Sequence, residues 1–245
     1  MLNRLLLILF IAGAFILALA FMGPIAQDPS YHEFADQRMF LGIPNFLDVT
    51  SNLPFLIIGL AGFVNLLRNT LPGWFKGILI TVSLYTGIAL TFFGSVWYHL
   101  EPTNQSLLWD RLPLTIIFSS FLAFMVFRII GTKGGYLVYY TLILLGICSV
   151  LYWYYTESIG QGDLRPYVFV QFFPLMCIPV MLWFYRKRVE KRNWLFAIFI
   201  FYLGAKACEM LDDQIWTLGQ LVSGHTLKHL LASVSAFYLV KWARV

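Results

Sequence analysis

The chain has 245 residues, of which 60% are hydrophobic and only 12% charged, with a mean hydropathy of +0.75. Soluble chains carry about a quarter charged residues, so this composition excludes the soluble globular classes and makes lipid the expected solvent. The net charge of +5 is first to be set against the positive-inside rule, and no nucleic-acid partner is expected from it.

A helix needs about 18 to 24 apolar residues to cross about 30 Å of hydrocarbon. Stretches of that kind predict eight spans in chain order: Leu5 to Met22, Val49 to Leu67, Phe75 to Tyr98, Leu112 to Ile130, Leu137 to Tyr155, Tyr167 to Tyr185, Trp194 to Met210 and Leu221 to Val240. The first follows Arg4 and ends near the small residues Ala18 and Ala20, so residues 1–23 read either as an additional helix or as a signal peptide. Residues 24–245 then form one seven-helix membrane domain. Cys148, Cys177 and Cys208 stand apart in apolar runs and predict no disulfide framework.

Charge assigns the loops to sides. Arg4, Arg68, Lys76, Arg128, Lys133, Arg186, Lys187, Arg188, Lys191, Arg192, Lys241 and Arg244, twelve of the seventeen basic residues, fall on alternate, same-side loops. Eleven of the twelve acidic residues fall at or near the opposite ends, with Glu190 the exception. The basic side is expected to be cytoplasmic, which puts the C-terminus inside and the acidic loops on the periplasmic, luminal or extracellular face. Tyr and Trp at the span ends, Trp97 and Trp109 among them, read as an interfacial belt.

Three polar groups at the outer ends of spans call for weighing. Ser95 and His99 are four residues apart and share a helix face. Taken by themselves, they read as a serine bonding its own backbone and a histidine at headgroup level. Asp110 precedes Pro113 where the fourth span begins, and alone it reads as a helix cap. His225 and His229 have the i, i+4 spacing that offers two imidazoles to one metal, without the glutamate of the HExxH motif.

The combination points further. Three of the four histidines lie at outer span ends, at about the same membrane depth as Ser95 and Asp110. A His₃ set with one open position is a catalytic zinc arrangement, in which a water becomes acidic near neutral pH. A nearby carboxylate can take the water's proton and a hydroxyl can stabilise an oxyanion. A haem site remains a rival, although two axial ligands would leave one histidine unused. Lys206 and Glu209 are expected to pair, Lys228 to snorkel to the headgroups, Asn52 to bond between helices, and His32 to be a loop residue.

At these residues the chain resembles the alkaline ceramidase family, part of the CREST superfamily of seven-helix membrane hydrolases that also takes in the adiponectin and progestin receptors. The resemblance rests on Ser95-x₃-His99, Asp110 eleven residues later, and His225-x₃-His229, with Asn45 to Asn52 similar to the start of the family's first helix. It implies that His99, His225 and His229 are zinc ligands. It further implies that Asp110 orients or deprotonates the metal's water and that Ser95 stabilises the oxyanion. The implied reaction is hydrolysis of the amide of ceramide or a similar N-acyl lipid drawn from the membrane, with no protein partner inferred. The same chemistry on another lipid amide or ester, and a non-enzymatic lipid receptor on the same scaffold, are the alternatives. The family's acidic calcium-binding segment carries Glu where Asn45 stands here. Glu33, Asp36 and Asp48 are arranged differently, which leaves calcium as a secondary expectation only.

Overall fold

The computed structural model describes residues 2–68 and 77–243, with side chains from residue 6 onward. Lys76, Arg244, the start of the span expected at Phe75, and the side chain of Arg4 lie outside the described residues.

Every described element of regular structure is helical. The longer helices are α1 (Leu2–Phe21), α2 (Phe46–Thr50), α3 (Leu53–Arg68), α4 (Ile78–Leu100), α5 (Asn104–Ile129), α6 (Thr132–Ser158), α7 (Arg165–Tyr185), α8 (Arg192–Met210), α9 (Asp212–Thr217) and α10 (Gly224–Ala243). Each of the eight expected spans coincides with one or two of these. Among the described residues, five segments are long and apolar enough to cross a membrane: Phe46–Arg68, Ile78–Leu100, Asn104–Ile129, Thr132–Ser158 and Arg165–Arg188. That is consistent with an integral membrane protein and falls short of the count of seven plus one. The apolar part of α1, Leu6–Phe21, is shorter. Helices α8 and α10 carry Lys206, Glu209, His225, Lys228 and His229, which dilute their hydropathy.

Two boundaries differ from expectation for identifiable reasons. Helix α5 begins at Asn104 and not near Leu112. Thr103 and Ser106 cap it reciprocally: the Ser106 N–H donates to Thr103 Oγ1 at 3.2 Å and the Thr103 N–H to Ser106 Oγ at 3.1 Å. Asp110 is therefore an interior helix residue and not the cap, and Pro113 lies inside the helix rather than in its first turn. The span expected from Val49 is broken after Thr50. There the Ser51 hydroxyl and the Asn52 amide both donate to the Asp48 carbonyl, at 3.0 and 2.7 Å, and compete with the helical ladder.

The chain divides into two compact units. One comprises residues 1–28, 70–84 and 114–190. In it α6 and α1 pack on α7. Leu122, Ala123, Met125 and Val126 of α5 are fully buried on successive faces, so this part of α5 is enclosed on every side. The other unit comprises residues 29–69, 85–113 and 191–245, and in it α10 packs along α8 and against α3. All five candidate site residues belong to this second unit.

Candidate metal centre

The N-terminus of α10 sets two of the histidines in place. Ser223 is its cap, accepting the Thr226 N–H at 3.0 Å, and Asp212 of α9 accepts the His225 N–H at 2.7 Å. Two N–H groups that a helix start leaves without partners are thereby satisfied. Thr226 in turn donates to the buried carboxylate of Asp48 at 2.6 Å. Gly224 allows the fit, since a Cβ there would stand 2.2 Å from the Cys208 carbonyl oxygen and 2.8 Å from Asp212 Cα.

From α4, His99 reaches the same place. The three rings have centroids 4.8 to 4.9 Å apart, and all three side chains are buried. One nitrogen from each can be chosen so that all three lie within 4.8 Å of one another, close enough to hold a metal ion. Among the described residues this is the one His, Cys, Asp and Glu group of that kind. Nε2 of His99 and Nε2 of His229 are 3.2 Å apart. Two nitrogens on a tetrahedral zinc, each at about 2.0 to 2.1 Å, stand about 3.3 Å from one another. The buried Nε2 of His225 and Nδ1 of His99 have no hydrogen-bond partner among the described residues. The donor set and its spacing fit zinc.

Tautomer follows from the hydrogen bonds. Ser51 Oγ lies 2.8 Å from His229 Nδ1, and its own proton goes to the Asp48 carbonyl. The His229 Nδ1–H then donates to Ser51, which leaves Nε2 as the lone pair facing His99. The helix break at Ser51 and Asn52 is what presents the hydroxyl here, with Asn52 Nδ2 3.3 Å from the same ring nitrogen. With Nδ1 protonated, that amide nitrogen is a donor facing a donor, and its hydrogen bond goes instead to the Asp48 carbonyl at 2.7 Å.

Ser95 and Asp110 are brought near each other, from α4 and α5: a Cβ on the adjacent Gly94 would lie 3.0 Å from Asp110 Cα. Gly94 permits it, because a Cβ there would lie 2.2 Å from the Trp109 carbonyl oxygen. That carbonyl is the one Pro113, four residues on, cannot engage for want of an N–H. Ser95 is one turn before His99 on the same face of α4, so Ser95 and the third histidine share a helix while Asp110 comes from α5.

Several contributors escaped the sequence reading. Phe34 packs on two of the three rings, 4.7 Å from His99 and 4.8 Å from His225 by centroids. The preceding Pro29–His32 turn is a short 3₁₀ helix, in which His32 is held between the Tyr98 hydroxyl and Asn104 Oδ1, each at 3.1 Å. Asn45, in a left-handed backbone conformation (φ 46°), donates to the His99 carbonyl at 2.8 Å. Lys228 does not snorkel; it pairs with Glu209 at 3.0 Å, and Lys206 pairs with the same carboxylate as expected. The calcium candidates go separate ways: Asp36 pairs with Arg38 at 2.7 Å, Asp48 binds Thr226, and Glu33 is exposed.

No family model matches the chain. No curated protein matches it either.

Proposed function

We propose that this chain is a zinc-dependent integral-membrane hydrolase that cleaves the amide bond of a ceramide or a similar N-acyl lipid. The observation that carries the reading is the convergence of three buried histidines at metal-binding distance, with the Ser95 hydroxyl one turn from His99 on α4 and the Asp110 carboxylate on the adjacent α5. Amide cleavage rather than another hydrolysis is drawn from the motif resemblance.

His99, His225 and His229 would hold the metal. Zinc in such a site supplies Lewis acidity to a carbonyl oxygen and a water with a pKa of about 7. Asp110 would serve as the base for that water's proton and as the acid for the leaving amine. The Ser95 hydroxyl, one turn from His99 on α4, would be the donor available to the developing oxyanion. Ser51 keeps His229 in the tautomer that turns its lone pair inward. The substrate is an amphiphile whose chains enter sideways among apolar helices.

The architecture we propose for this function is a seven-helix bundle over residues 24–245 with one further helix in residues 1–23. Helix α8 supports it: Phe196, Ile200 and Leu203, at helical spacing, form an exposed apolar stripe suited to lipid. The basic loops face the cytoplasm and the site faces the opposite side of the membrane.

Purified protein tests the reading through zinc content and turnover of ceramide, an N-acyl ethanolamine and an ester lipid. His225→Ala should lose both metal and turnover. Asp110→Asn should keep the metal and lose about 10²- to 10⁴-fold in rate. Full activity in metal-free protein would overturn the proposal. Turnover of the ester alone would move the activity to another lipid class, and bound zinc without turnover would identify a lipid-binding protein.

A further inference from the structure

The first unit holds a groove unrelated to the histidines. It encloses about 540 Å³ between α1, α6 and α7, a volume typical of small-molecule sites. Leu19, Leu145, Phe169 and Val170 give it an apolar floor and walls. Its polar groups gather at one end, where Arg165 makes a two-pronged pair with Asp163 through Nε and Nη2 at 2.9 and 2.8 Å, and the Tyr152 hydroxyl donates to Asp163 at 3.3 Å. The two charges are not equally presented. The Asp163 side chain is 5% exposed and that of Arg165 is 26% exposed, so the pair offers the groove a guanidinium edge and withholds the carboxylate. Arg165 also opens the 21-residue helix α7, and its N–H is taken by Asp163 Oδ1 at 3.1 Å, so the anion site of the groove is the guanidinium and not the helix end.

We propose that this groove binds a phospholipid of the surrounding bilayer, with its phosphate on the outer edge of Arg165 and one acyl chain along the apolar walls. The charge left outward selects an anion, and a planar guanidinium is matched to phosphate oxygens. The apolar length behind it selects a chain-bearing molecule. The source follows from the helices themselves: α6 and α7 are both apolar enough to cross a membrane, so the groove opens into a medium made of phospholipid. Exposed large side chains at its rim, Ile16, Leu145 and Tyr152, fit that medium.

Cys148 lines the groove and is exposed, which provides a native reporter. In the full chain purified in detergent, labelling of Cys148 by a membrane-permeant maleimide is followed by mass spectrometry, with Cys208 as the internal reference. Phosphatidylglycerol should slow Cys148 about tenfold and leave Cys208 unchanged, a factor appropriate to a charge-assisted contact. Diacylglycerol, which lacks the phosphate, should give no protection at the same mole fraction. Arg165→Gln should abolish the protection while its lipid-free labelling rate stays that of the parent. Equal protection by diacylglycerol, protection by oleate but not by phospholipid, or an unprotected Cys148 in the parent chain would each overturn the proposal. The parent chain alone decides these three outcomes. None of them depends on hydrolysis or on zinc.

Discussion

The Ser51 hydroxyl governs which nitrogen of His229 carries the proton, although it would never touch a metal itself. Removing an outer partner of this kind lowers metal affinity about 10- to 100-fold. Ser51→Ala should therefore bind zinc more weakly by that factor in a chelator competition while keeping the helical circular dichroism of the parent. An unchanged affinity would mean that the ring is oriented by packing against His99 and His225. A second residue-scale effect lies in the other unit, at the Asp163 loop outside the spans. The hydrogen bonds from Arg165 hold the Asp163 carboxyl below its usual value of 3.8. A lowered folded-state value contributes stability above the unfolded value that is lost as pH falls through the folded one. Asp163→Asn should then cost melting temperature at pH 6, and progressively less as the pH is taken below 3.8 and through the lowered folded value.

At the scale of elements, one glycine sets the distance between two helices. A Cβ on residue 94 would stand 2.2 Å from the Trp109 carbonyl oxygen, backbone that cannot swing aside. Gly94→Ala should force α4 from α5, with an overpacking cost of about 1 to 3 kcal/mol seen as a lowered melting temperature. The approach of Ser95 to Asp110 is the contact most directly opened. Turnover should fall more than zinc content, because the three histidines depend on α10 and on the far turn of α4. Equal losses of both would show that the helix pair also carries the metal ligands. The same elements explain where the sequence reading of boundaries failed. Asp110 beside Pro113 looks like a helix start, since both residue types favour one. The true start, Thr103 with Ser106, lacks the Glu or Gln that marks a capping box. A single reciprocal hydroxyl pair has almost no signal in composition.

At the scale of the molecule, the separation of charge along the chain predicts sidedness. With alternate loops basic, a thiol at Glu101→Cys and one at Lys187→Cys should be labelled by an impermeant reagent from opposite sides of sealed vesicles. Labelling from one side would mean that an odd number of α5, α6 and α7 fails to cross between those points or that a boundary is misplaced. Hydropathy, helix positions and the i, i+4 pairing of His225 with His229 were all legible in the sequence. Each depends on residues within a turn or two of one another, where period and composition act directly. The site was legible as a set of residue types and not as an arrangement. His99 meets His229 across 130 positions, Ser51 meets it across 178, and Phe34 closes on two of the rings from a loop with no periodicity at all. Only packing of the helices brings such pairs together, because no local preference in the chain encodes a distance between segments so far apart. The dilution of α8 and α10 by polar residues has the same origin: the side chains that lower their apolar character are those that the fold pairs with one another inside the second unit.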